Sequence, residues 1–394
     1  MTKRKLVDIE FTLEWKCPFA QHSDVYHVAN IDLIDDELPT DFAKQIEALK
    51  IGEVFKKTLQ AEDIFDEEYS NDNVVSFESN LFDSNFKGQH SPPILFRYYP
   101  SAIAAQGLNT EPKDYKPFRL ISKDGDNFTA DKNHPLAKYY LTLSAKKLNV
   151  SDAPENTKRR KRRKRHIGKL ISARGPGMQA PFEYGEPVFF ENYPFKMNNS
   201  LPQIKPHLDE KAIKEIEALH SQLLPAHSRV LDLMSNRSSY LADSYATGMM
   251  TGLGNNEDAL NGNNRLDTYI EQDINDNIKF PFEDNSFDDA ICTLSIEYVT
   301  NPFAIMKEVA RVVEKGGKFI ITFSDNGVSN AISLWGQLHP FERMQLVLEY
   351  FRLTEIFIDI NTFSKRGVPR PWDDKQSHEK RLSDPVYAVW GTVK

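Results

Sequence analysis

A strand-like run that ends on an acid and turns into a polar loop is the first place where this sequence could do chemistry: "VLDLMSNRSS", residues 230–239. Asp232 stands at the strand end, and Ser235, Asn236 and Arg237 follow with groups that could hold a nucleotide-like ligand. Loops of this outline normally carry glycines, which accept positive φ and let the backbone approach a ligand with no Cβ between. Here Met234, Asn236 and Ser238 occupy those places. Asparagine tolerates the left-handed region, whereas methionine does not do so readily. Further candidates follow at strand-end positions: Gly254-Asn255-Asn256, Asp273 with Ile274, and Glu297-Tyr298. An asparagine amide can hydrogen-bond a hydroxyl, but without the strength of a carboxylate. In the first half of the chain, Phe65 and His134 are the ring and the titratable neighbour most able to take part in a reaction.

The elements that must position these residues differ between the two halves. Residues 1–150 contain strand-like alternation ("LVDIEFTLEW"), a helix ("PTDFAKQIEAL"), a strand ("EVFKKTL"), a hairpin around Asp124-Gly125 and a late strand ("YYLTLSA"). From about residue 206 helices and strands alternate. Ile213, Ile216, Leu219 and Leu223 recur at helical spacing. The strands "SRVLDLM", "GMMTGLG" and "DDAICTLSI", the helix "PFAIMKEVARVVEKG" and the strand "GKFIITFS" follow. This succession predicts a mostly parallel sheet covered by helices on both faces. Ligands of such sheets sit at the carboxyl ends of the strands, where "DLMSNRSS" falls.

Between the halves, "KRRKRRKR" (Lys158 to Arg165) places eight consecutive positive charges in a chain of net charge -8. Such a run is either a self-repelling linker or a contact for an anionic partner; the acidic remainder favours the linker. The Pro- and aromatic-rich segment 181–195 that follows reads as an extended strap. No run approaches the roughly 18 apolar residues of a membrane span, and Asp8 and Glu10 interrupt any signal-like start, so a cytoplasmic location is expected. Cys17 and Cys292 lie far apart and are read as reduced, Cys292 as a core residue. No metal site is expected.

From residue 206 to 394 the chain resembles class I S-adenosylmethionine-dependent methyltransferases. The resemblance rests on Asp273 ahead of "FPF", on "DNSFD" (residues 284–288) leading into a strand, and on Glu314-Lys-Gly-Gly317 before the next. It implies a Rossmann-like α/β fold with a seven-stranded sheet, whose last two strands would come from "FRLTEIFIDI" and "DPVYAVWGTVK". It also implies S-adenosylmethionine as cofactor, with Asp232, Met234, Ser235, Asn236, Arg237, Asn255, Asp273 and Ile274 around it and Glu297 and Tyr298 toward the acceptor. Methyl transfer needs chiefly alignment and desolvation, so no catalytic base is demanded. Two readings of the loop stay open: a reshaped cofactor site, or a methyltransferase fold kept as a scaffold.

The N-terminal half is similar to FKBP-type peptidyl-prolyl isomerases of the SlyD-like branch. "LPTDFAKQIEALKIGEVFKKTLQAEDIFDEE" and "NHPLA" (residues 133–137) carry this resemblance, with residues of about 70–120 between them matching an inserted flap domain. It implies an α+β domain over residues 1–150, Phe65 in the place of the family's tyrosine and His134 beside it, and Leu143 replacing an aromatic. The expected whole is multidomain, with a linker at 151–205. Its function is either methyl transfer to an unknown acceptor, a protein or unfolded chain held by the first domain, or isomerase or holdase activity with a non-catalytic methyltransferase-fold scaffold.

Overall fold

The computed structural model describes residues 5–65, 67–88, 90–153, 165–171, 208–246, 248–325, 335 and 338–394. The strap at 181–195 and Lys158 to Lys164 lie outside the described residues. Arg165, the last residue of the basic run, is spent internally on the Asp36 carboxylate at 2.6 Å.

The first half folds as β1 (Lys5–Lys16), β2 (Ala20–Ile31), α1 (Phe42–Ala48), β3 (Val54–Leu59), α2 (Ala61–Phe65), β4 (Val74–Glu78), β5 (Tyr98–Pro100), β6 (Pro117–Asp124), β7 (Asn127–Asp131), β8 (Leu141–Asp152) and α3 (Ile167–Ile171). In β1 every second residue from Val7 to Trp15 is buried, the pattern of an antiparallel strand with one face on a core. Phe11, Phe42, Ile46, Phe65 and Leu143 meet in that core. Lys147 donates to the carbonyls of Ile46, Glu47 and Leu49, so its ammonium satisfies and neutralises the carboxyl end of α1.

The strands β4–β7–β6–β5 form a separate antiparallel sheet with its own core of Phe77, Phe82, Tyr99, Phe118 and Phe128. The expected hairpin at Asp124-Gly125 is the β6–β7 turn of this inserted sheet.

The second half comprises α4 (Glu210–Leu223), β9 (Arg229–Leu233), β10 (Met249–Gly254), α5 (Glu257–Asn261), β11 (Thr268–Glu271), β12 (Asp289–Thr293), α6 (Pro302–Val312), β13 (Lys318–Phe323), α7 (Pro340–Thr354), β14 (Phe357–Arg366) and β15 (Val386–Val393). β12 is buried at every position because helices cover both faces of a parallel strand. The strand order β11–β10–β9–β12–β13–β15–β14, with β15 antiparallel to both neighbours, contains the seven strands expected.

The sheet does not stop there. β14 pairs in parallel with β2, so β2, β1, β8 and β3 extend it to eleven strands. Asp24 of β2 accepts from Arg366 at 2.7 Å and Ser364 at 2.6 Å, and His22 bonds Thr362 at 2.8 Å, which places buried polar partners along the seam. One sequence expectation is corrected here. "FRLTEIFIDI" is not one strand: Phe351–Thr354 close α7, Glu355 turns the chain at φ 56, and β14 begins at Phe357. No helix follows β9 among the described residues before β10.

Candidate functional site

β9 and β12 are neighbours at the point where strand order reverses, with β10 and β11 on one side and β13 on the other. A crevice opens at the carboxyl ends of strands at such a point. The cofactor and acceptor candidates of the second half all lie on this edge.

Asp232 is buried one residue before the end of β9 and turns inward. Its Oδ2 accepts from Ser235 Oγ at 2.6 Å and Ser239 Oγ at 2.7 Å. Burial raises its pKa to about 6, with the two hydroxyls opposing. Asn263, which sequence reasoning missed, donates to Ser239 Oγ at 2.9 Å and to the Asn236 carbonyl at 2.7 Å. The loop is thus held by an internal polar network where a helix would otherwise hold it. One asparagine among the three of "NGNN" (residues 261–264), at the end of a five-residue helix, offers no sequence signal for this role.

The backbone solves the missing-glycine problem at an unexpected residue. Met234, not Asn236, adopts the left-handed conformation, at φ 55. Ser235 N then donates to the Leu253 carbonyl at 2.9 Å, carrying the loop across the end of β10. Gly254 permits this crossing, since a Cβ there would collide with the Ser235 carbonyl oxygen. Arg237 is exposed at the rim, its backbone N–H bonded to Asn236 Oδ1.

Asn255 and Asp273, half-buried beyond β10 and β11, meet at 3.3 Å. Ile274 packs into the core beneath them. Asn275, also missed, bridges to the next loop by donating to the Tyr298 carbonyl at 3.0 Å and accepting from Thr300 N at 2.9 Å. Beyond β12, Glu297 and Tyr298 occupy a single 3₁₀ turn. Glu297 is 2% exposed and its Oε2 has no hydrogen-bond partner. Burial raises its pKa to about 7, against the pull of the Arg343 charge on α7. Burial, reinforced by Glu297, raises the Tyr298 phenol to about 12, so it stays protonated.

Phe65 and His134 come together elsewhere, in the N-terminal core, with ring centroids 4.3 Å apart. Phe65 is only 1% exposed and Leu143 is fully buried. His134 Nδ1 accepts from Leu136 N at 3.1 Å, which fixes the turn after β7.

Residues 236–321 match the model of a methyltransferase domain. Over 43 residues the chain is 49% identical to sterol 4-C-methyltransferase strm-1 of Caenorhabditis elegans; the match covers 11% of this chain and 13% of that protein. Among solved structures it is similar to the putative methyltransferase of Haloferax volcanii in complex with its Trm112 activator, at 17% identity and a TM-score of 0.33, covering 46% of this chain and 92% of that one. It is also similar to a methyltransferase of Thermotoga maritima described as a possible histamine N-methyltransferase, at 16% identity and a TM-score of 0.34, covering 47% and 90%.

The residues on the edge fit the cofactor that such a domain implies. The bare Cα of Gly254 admits the Ser235 carbonyl, and the left-handed Met234 turns the loop across the ends of β9 and β10. Asn255 and Asp273 leave a half-exposed amide and carboxylate beside that crossing. Residues 236–321 thus match a methyltransferase-domain model and lie within a mostly parallel, Rossmann-like sheet, and a domain of that kind implies S-adenosylmethionine as its cofactor.

Proposed function

We propose that the chain binds S-adenosylmethionine at the carboxyl edge of β9–β12 and transfers its methyl group to an acceptor presented beside Glu297 and Tyr298. The observation that carries this reading is the Asn255–Asp273 pair next to Gly254 and the left-handed Met234, on the strand edge where the sheet order reverses. Asp273 and Asn255 would hold the hydroxyls and amine of the adenosine part, and Arg237 would face the methionine carboxylate. When bound, the cofactor supplies an electrophilic methyl group. Glu297, with an unpartnered oxygen and a pKa near neutrality, is suited to take a proton from an N–H or O–H acceptor. Tyr298 would orient that acceptor without ionising. Titration of the full chain with S-adenosylhomocysteine tests the reading through saturable one-to-one binding.

A second reading concerns the N-terminal half, and the inserted four-stranded sheet between α2 and β8 supports it. We propose an FKBP-like module over residues 1–150 that holds a protein chain rather than isomerising it. An isomerase needs an open aromatic cradle, whereas Phe65 and Leu143 are sealed in the core. Accelerated refolding of a proline-limited substrate by the chain would overturn that restriction. The run Lys158 to Arg165 is proposed as a linker; the alternative, a contact for an anionic partner, would show as salt-dependent retention on a polyanion column.

A further inference from the structure

The inserted sheet does not stand free. Glu342 of α7 accepts from the Tyr98 N–H at 2.9 Å and lies 3.8 Å from the Arg97 guanidinium, both groups nearly buried. Beside this contact is a cavity of about 460 Å³ walled by Tyr98, Tyr115 and Pro117 from the insert and by Phe341, Glu342 and Gln345 from α7. Its volume is that of a ligand site, and it sits between two packed units, where such sites concentrate.

The polar groups of the wall narrow the ligand class. Glu342 is already occupied by Tyr98 N, by His339 N at 2.8 Å and by Arg97, so it does not call for a cation. Among the described residues the wall holds no lysine or arginine, and its one basic side chain belongs to His339, whose backbone N–H is bonded to the Glu342 carboxylate, so the cavity does not call for an anion. Gln345 is 5% exposed and its Nε2 has no hydrogen-bond partner. A buried donor without an acceptor costs free energy that a ligand carbonyl would recover. Aromatic rings and an unspent donor are the recognition elements for extended proline-bearing chain. Such chain is pre-ordered, packs its pyrrolidine rings on aromatic faces, and leaves its carbonyls without internal partners.

We propose that this cavity binds an uncharged, extended, proline-containing peptide segment, with a carbonyl accepting from Gln345 Nε2 and a proline ring against Tyr115 and Phe341. The site is composite: it exists only because the insert is docked on α7. The inference stands apart from cofactor binding, and the two are measured separately.

The probe is a blocked Ala-Pro-Pro-Tyr-Pro-Pro-Ala peptide titrated into the full chain and followed by calorimetry, with an all-alanine peptide and tyrosine amide as comparisons. Saturable binding of the proline peptide alone is expected, weakened about tenfold in Gln345→Ala and in Tyr115→Ala. Tyr115 is half exposed, so the second variant keeps the fold intact if the first does not. No binding, binding unchanged in a folded Tyr115→Ala, or equal binding of the all-alanine peptide would overturn the proposal. Binding of tyrosine amide without the peptide would overturn it in favour of a small-molecule site.

Discussion

A methionine held at φ 55 costs on the order of 1–2 kcal/mol relative to a relaxed residue. The loop after β9 keeps the turn a glycine would make, at that cost, and recovers it in the Asp232–Ser235–Ser239–Asn263 network. The sequence made the acid and the absent glycines visible, but not which residue would turn left-handed. That choice depends on the register of Ser235 against Leu253, a long-range contact. Gly254 is the tightest point of the arrangement. Gly254→Ala should destabilise the chain by about 2 kcal/mol, as overpacking does, and chemical denaturation with an unshifted midpoint would contradict the crossing described. Glu297 makes a second residue-scale prediction. Its folded pKa of about 7 lies above the ordinary 4.5, so the folded chain binds the proton more tightly. Its contribution is therefore greatest below about pH 4.5 and is lost as pH rises through about 7. At about 1.4 kcal/mol per pH unit the loss reaches about 3 kcal/mol for a fully buried group. Glu297→Gln, which cannot ionise, should match the wild type at pH 4 and exceed its stability at pH 8 by up to that amount; urea unfolding at both pH values checks it.

Among the elements, the parallel core was legible because its strands are continuous apolar runs and its helices α4 and α6 carry clear apolar stripes. α7 was not, for a physical reason. Ten of its residues, including Glu342, Arg343, Gln345 and Glu349, are buried, so no polar face marks it as a surface helix. Glu349 pairs with Arg352 within the helix, but other charges are met from outside it, Glu342 by Tyr98 N and Arg97 and Arg343 by Asp325. β2 was missed because its buried face carries His22 and Asp24, which break apolar alternation. Both residues serve the seam with β14, where a buried ion pair replaces apolar packing. Breaking one side of such a pair leaves an uncompensated charge at a cost of about 3 kcal/mol or more. Arg366→Ala should show that loss, and adding Asp24→Ala should restore part of it. A double variant as unstable as the sum of the singles would count against a coupled pair.

For the molecule as a whole, the seam turns two sheets into one, and the insert reaches across to α7, so the two halves share elements. The methyltransferase-like motifs of the second half and the strand alternation of the first could be read locally, from stretches a few residues long. Their union could not, because it is made by parallel pairing of strands more than 300 residues apart. The central claim concerns the edge at β9–β12, and calorimetric titration of the full chain with S-adenosylhomocysteine tests it most directly. The expected result is saturable one-to-one binding that Asp273→Ala weakens at least about tenfold, the loss of a charged hydrogen bond, and that Phe65→Leu leaves unchanged. An absence of binding to the folded wild-type chain, or binding indifferent to Asp273, would contradict it.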